Sequence, residues 1–192
     1  MKGIVFTELI EMVEAELGLE IADKMISQAE TSNAGAYTAV GTYDHLELIS
    51  LVVSLSKTTD VPVPDLVHRF GRYLFGRFTE LYPQFFESAN STFEFLPQIE
   101  SFIHVEVRKL YPDAELPHFQ CTQSEHVLEL TYFSNRPFAD LAEGLIAACI
   151  DHFGGGITTE RTDLGERNGT EARFVLTQST VTAPRATQTC LN

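Results

Sequence analysis

The stretch TYFSNRP (131–137) places a tyrosine, a serine and an arginine at alternating positions, Tyr132, Ser134 and Arg136. Side chains alternate across a strand, so the three share one face if the strand runs through them. All three donate hydrogen bonds, and the guanidinium is permanently charged. Such a row serves either as a polar rim facing water or as a clamp for an anion. A carboxylate suits the clamp, because a planar guanidinium can hold one with two parallel bonds.

His104 is the second residue with chemical potential. It stands beside an apolar helical stripe, with Ile103 before it and Val107 after it. An imidazole at the edge of a buried face needs a partner. It is either a core-edge histidine bonded to a carbonyl or water, or a single axial ligand to a haem iron, for which one histidine suffices. Haem carries two propionates, so the second reading would supply the anion for the clamp.

Other chemistries find no support. The six histidines include no i, i+4 pair and no HExxH, no GxSxG is present, and GGGITT (154–159) lacks the lysine and the following helix of a phosphate loop. Cys121, Cys149 and Cys190 form an odd, sparse set without CxxC spacing. That argues against a disulfide framework and a thiolate zinc site, and fits a reducing cytoplasm. The net charge of −14, with 13 Lys and Arg in no basic run, disfavours nucleic acid and anionic membrane as partners. Acids interrupt the apolar N-terminus by position 8, so it reads as an amphipathic helix and not a signal peptide. No apolar run approaches the roughly 18 residues of a membrane span.

The elements that must hold these residues change character along the 192-residue chain. Val5, Leu9, Val13 and Leu17 recur every fourth residue before Gly18, predicting a first helix. Further helices are expected over 19–27 and 43–56. After the break TTDVPVPD (58–65), Asp65 is the expected cap of a helix carrying Leu66, Phe70, Leu74, Phe78 and Leu81 and ended by Pro83. One helix is expected over 95–111, with His104 inside it and Pro97 in its first turn.

The period then switches to two. Runs 119–123 and 127–134 read as a hairpin, with Leu128, Leu130, Tyr132, Ser134 and Arg136 on one face. A helix over 138–153 follows, then a hairpin of 157–162 and 170–178 around Asn168-Gly169. The expected class is α+β: a helical subdomain (about 1–60) packed on a subdomain (about 61–180) with a four-stranded antiparallel sheet and helices, and a disordered tail (181–192). The break at 58–65 is expected to be a hinge between subdomains.

Taken together, the chain resembles the H-NOX (haem nitric oxide/oxygen binding) family over roughly residues 1–180. MKGIVFTELIEMVEAELGLE looks like the family's N-terminus, IHVEVRKLYPDAELP like its proximal helix and following loop, and TYFSNRP like its Tyr-x-Ser-x-Arg motif. The resemblance implies haem b between the two subdomains, ligated by His104, with Tyr132, Ser134 and Arg136 on the propionates. It also implies that Pro117, thirteen residues after His104, presses on the haem.

By the same resemblance, the position of the tyrosine that stabilises bound oxygen in one branch is occupied here by Leu141. Leu9 and Leu74 are its companions, and Val5, Phe78 and Leu145 complete the distal pocket. An apolar pocket favours nitric oxide over oxygen, because oxygen on ferrous iron gains from a hydrogen-bond donor and NO does not need one. The stretch 152–174 has no cysteine, so the zinc cluster of some family members is not expected.

The expected function is a stand-alone bacterial NO sensor of the cytoplasm, not an enzyme. NO weakens or breaks the iron–His104 bond, and the signal passes to a separate histidine kinase or cyclic-di-GMP enzyme. An oxygen sensor of the same family, a haem carrier and a haem enzyme are the alternatives.

Overall fold

The computed structural model describes residues 1–165 and 169–179. Asn168 of the second expected turn, Cys190 and the expected disordered tail lie outside the described residues. The helices are α1 (Ile4–Leu17), α2 (Leu19–Gln28), α3 (His45–Thr59), α4 (Val63–Leu81), α5 (Thr92–Phe95), α6 (His104–Leu110) and α7 (Ala139–Phe153). The strands are β1 (His118–Gln123), β2 (Val127–Phe133), β3 (Ile157–Asp163) and β4 (Glu171–Gln178). They form one antiparallel sheet in the order β1-β2-β4-β3, so the expected α+β class with a four-stranded antiparallel sheet is what the chain adopts.

Local chemistry explains most boundaries. Asp44 caps α3, its Oδ1 accepting the Leu46 N–H at 3.0 Å, so the helix starts after the tyrosine at 43. α4 begins before its expected cap: the Leu66 N–H already bonds the Pro62 carbonyl at 3.1 Å, which places Asp65 inside the first turn. Pro64 is tolerated there because a first-turn N–H has no helical partner to lose.

The single helix expected over 95–111 is a correction. α5 stops at Phe95, a turn passes through Leu96 and Pro97, and the chain is π-helical over Ile99–Ile103 before α6 begins at His104. Pro97 has no N–H to give to a helical ladder, and the π turn accommodates one extra residue between two α-helical registers. Ser91 caps α5, its Oγ accepting the Glu94 N–H at 3.2 Å.

A second correction concerns β2, which ends at Phe133. Leu128, Leu130 and Tyr132 do share its buried face, but Ser134 and Arg136 lie in the bend beyond it.

The buried apolar residues form two clusters. The first joins α1, α2, α3 and the N-terminal part of α4, around Phe6, Leu9, Met25, Leu51 and Phe70. The second lies between α7 and the sheet, around Leu128, Leu130, Ile146, Phe174 and Leu176. α4 serves both, giving Leu74 to the first and Phe75 to the second.

Its most extensive partner is α7, and two glycines permit the approach. A Cβ on Gly71 would lie 2.4 Å from the Leu141 carbonyl oxygen, and one on Gly144 would lie 2.0 Å from that of His68. A second tie is ionic: Glu8 of α1, 4% exposed, accepts a 2.7 Å bond from Arg77 Nε of α4. Among the described residues no helix is long and apolar enough to cross a membrane.

Candidate functional site

A cavity of about 320 Å³ opens between α1, α4, the segment 99–110, the sheet and α7. Val5, Leu74, Phe78, Leu141 and Leu145 line it from the helical side, with Ile103, His104, Val107, Pro117 and Phe119 on the other elements around it. The wall is apolar except at a few positions, and His104 is the most consequential of these.

The π turn and α6 deliver that histidine into an apolar setting, where it is 8% exposed. Its Nδ1 lies 3.1 Å from Glu100 Oε2. Burial pushes the Glu100 carboxyl up, but the Phe119 N–H and the imidazoles of His104 and His118 more than offset it, and the group is held below the usual carboxylate range. Burial lowers the pKa of His104, chiefly by desolvation, with Glu100 opposing. The ring is therefore neutral at neutral pH. An ionised carboxylate only accepts, so the hydrogen sits on Nδ1 and the lone pair on Nε2 remains available for a metal.

Tyr132, Ser134 and Arg136 all line the same cavity, yet they differ in what they hold. The Tyr132 hydroxyl donates to the Arg136 carbonyl at 3.4 Å. Ser134 Oγ accepts the Arg136 N–H at 3.0 Å, and the Ser134 N–H donates to the Thr170 carbonyl at 2.9 Å. The two hydroxyls thus shape the turn that carries the arginine. Burial pushes the Tyr132 phenol up, so it stays a donor.

The guanidinium donates from Nη1 to the Glu115 carbonyl at 3.0 Å and pairs through Nη2 with the Glu115 carboxylate. A polar pocket of about 290 Å³ adjoins this end and shares Met1, Lys2, Ala114, Glu115 and Arg136 with the apolar cavity. The cavity is thus apolar within and charged at its mouth, where Arg136 pairs with Glu115 and Lys2 with Asp113.

Of the residues singled out in the sequence, Leu9 alone is not part of this wall. It is buried in the helical cluster. Tyr82 and Tyr111 on the wall and Glu100 beside it are among the residues not singled out. Tyr82 and Tyr111 line the cavity, and burial followed by the neighbouring Tyr111 pushes the Tyr82 phenol up. Glu100 was legible in principle, because a carboxylate four residues before a helical histidine falls beside it. The tyrosines carried no such local signal.

The pattern suits haem: a neutral imidazole with a free nitrogen in an apolar cleft, and a guanidinium at the rim where carboxylates would emerge. The Haem-NO-binding family model matches residues 2–161. The chain belongs to the Haem-NO-binding family, whose members are haem-based gas sensors.

Solved structures agree. The unliganded Fe(II) H-NOX protein from K. algicida is 37% identical, with 93% of this chain and 97% of that one covered at a TM-score of 0.87. The IWP-051-bound H-NOX from Shewanella woodyi, in the Fe(II)CO state, is 42% identical, with 97% and 98% covered and a TM-score of 0.80. An H-NOX protein from S. oneidensis in the Fe(II)NO state is 25% identical, with 93% and 99% covered and a TM-score of 0.84. No curated protein sequence matches the chain. In this H-NOX chain the segment that spans His104 and Arg136 falls wholly within the family match.

Proposed function

We propose that this H-NOX chain is a nitric oxide sensor that holds haem b and signals to a separate effector protein. The observation that carries the reading is the buried His104, its Nδ1 engaged by Glu100, at the wall of an apolar cavity that has Arg136 at its mouth. His104 is the iron ligand through Nε2. Arg136 receives a propionate, on a turn shaped by Tyr132 and Ser134. Pro117 bears on the macrocycle from the loop between α6 and β1.

Bound ferrous haem supplies an iron that takes diatomic gases, and NO is held firmly without a hydrogen-bond donor. Val5, Leu74, Phe78, Leu141 and Leu145 offer none, so the wall expected to face the gas favours NO and gives oxygen no partner. The same side chains titrate nothing, and a haem enzyme would need acid–base groups there.

His104, at the junction of the π turn and α6, would hold the iron, so a change at the iron would reach both segments. The helical part about residues 1–60 would then shift relative to the rest of the chain, which it meets where α1 and α3 pack on α4. A ligand that favours one of two packings is sufficient for such a switch. The effector we propose is a histidine kinase or a cyclic-di-GMP enzyme, with the chain acting in the cytoplasm.

One observation favours oxygen as a second ligand: the Tyr82 phenol lies in the cavity wall. The test is the absorption spectrum of the reduced protein under argon, air and NO. A five-coordinate spectrum unchanged by air and shifted by NO supports NO sensing. A stable oxy spectrum that Tyr82→Phe abolishes moves the function to oxygen.

A further inference from the structure

We propose that Glu100 is a positioning residue: it sets the tautomer and orientation of His104 and ties that histidine to β1. The proposal rests on the reading of His104 as the iron ligand. Glu100 is not among the residues that line the cavity, so it acts through His104.

Four groups from two other stretches of chain converge on this one carboxylate. Oε2 lies 3.1 Å from His104 Nδ1 and accepts the backbone N–H of Phe119 at 3.2 Å. Oε1 lies 3.3 Å from His118 Nδ1 and 3.6 Å from the Arg108 guanidinium. Glu100 itself sits in the π turn, His104 and Arg108 in α6, and His118 and Phe119 in β1. A surface ion pair of the i, i+4 kind would engage one partner on its own helix. This side chain instead bridges a helix to the edge strand of the sheet.

Two consequences follow from the geometry. The first is electronic. A carboxylate acceptor at Nδ1 strengthens the imidazole as a donor through Nε2 and holds the ring at one azimuth. The second is mechanical. The oxygen that holds His104 also holds the Phe119 backbone, and the Phe119 ring lies 6.1 Å from that of His104 and 5.6 Å from that of Tyr132. Displacement of His104 therefore pulls on β1 at the point where β1 pairs with Tyr132 of β2. The iron ligand and the turn bearing Arg136 are joined through Glu100 and Phe119.

The test uses the haem-loaded full chain with Glu100→Gln and Glu100→Ala, and the apoprotein of each. Resonance Raman of the reduced, unliganded protein reads the iron–histidine stretch. The expected result is a lower frequency in Glu100→Gln, which keeps the shape and removes the charge, and a lower one still in Glu100→Ala. Haem affinity should fall about 10–100-fold in Glu100→Ala, the range for loss of an outer partner of a metal ligand. Nitrogen-15 NMR of the apoprotein should show His104 with its hydrogen on Nδ1 in the wild type and a mixed population in Glu100→Ala.

An unmoved stretch together with an unmoved tautomer in both variants overturns the proposal. Where Glu100→Ala does not fold, Glu100→Gln alone decides it by the same two readouts. Failure of the underlying reading looks different: His104→Gly would then leave the wild-type stretch and spectrum in place.

Discussion

Arg136 and Glu115 are locked together at the mouth of the cavity, with Nη1 on the glutamate's own carbonyl at 3.0 Å and Nη2 on its carboxylate. A haem propionate presents the same chemistry to the same guanidinium, so Glu115 and the propionate compete. The Glu115 side chain is 77% exposed, and exposed pairs contribute up to about 1 kcal/mol, which is about fivefold in an equilibrium. Glu115→Gln should therefore take up hemin more tightly, by at most about fivefold, in titration of the apoprotein. Arg136→Ala should lose hemin to apomyoglobin faster while keeping its axial-ligand spectrum. Retention equal to wild type would mean that the guanidinium serves Glu115 alone.

His104→Gly removes the only imidazole on the cavity wall among the described residues. Haem retention should drop, and added imidazole should restore both binding and the reduced spectrum. A variant with the wild-type spectrum and no response to imidazole would put the iron ligand elsewhere.

Leu141 and Leu145 face the cavity from α7, opposite no hydrogen-bond donor on α1 or in the middle of α4. Leu141→Tyr places a phenol there. The expected outcome is a measurable oxygen complex under air with NO binding kept. A buried hydroxyl without a partner costs about 1–3 kcal/mol, so the unliganded variant should also melt lower. No oxygen complex, in a variant that still binds haem, would place Leu141 away from the gas.

Glu8 depends on Arg77, since its carboxylate is nearly inaccessible and Arg77 Nε is its partner at 2.7 Å. Arg77→Met leaves that charge buried and unpaired. A loss of about 3 kcal/mol follows, discounted slightly because Arg77 is partly exposed. Thermal melting should fall by about 6–12 °C, and Glu8→Leu in the same chain should recover most of it. A single variant melting within a degree of wild type would show that the Glu8 carboxylate reaches water instead.

The helices and strands were legible wherever a local period held. Val5 to Leu17 repeat every fourth residue and fold as α1, and Leu128, Leu130 and Tyr132 alternate and form the buried face of β2. The family was legible because its signals are short and ordered: a histidine, a proline thirteen residues later, then Tyr-x-Ser-x-Arg.

The failures share a cause. The period-two pattern runs on through Ser134 and Arg136, but the strand ends at Phe133, where the Ser134 N–H turns to the Thr170 carbonyl of a distant loop. The apolar stripe across 95–111 looks continuous, but only the folded chain shows the turn at Pro97 and the π turn before His104. Leu9 sits on the same helix as Val5, and which of them reaches the cavity depends on how α1 packs against α4.

The sequence by itself determined the class of fold, the family and the residues with chemical capacity, because periodicity and motif spacing are properties of near neighbours along the chain. Only the tertiary structure decided which groups those residues meet. Glu100 against Phe119 and His118, Arg136 against Glu115, and Tyr82 in the cavity wall are contacts of this second kind. They join segments far apart in sequence, and their free energy comes from burial and charge pairing that exist only once the helices and the sheet have closed around the cavity.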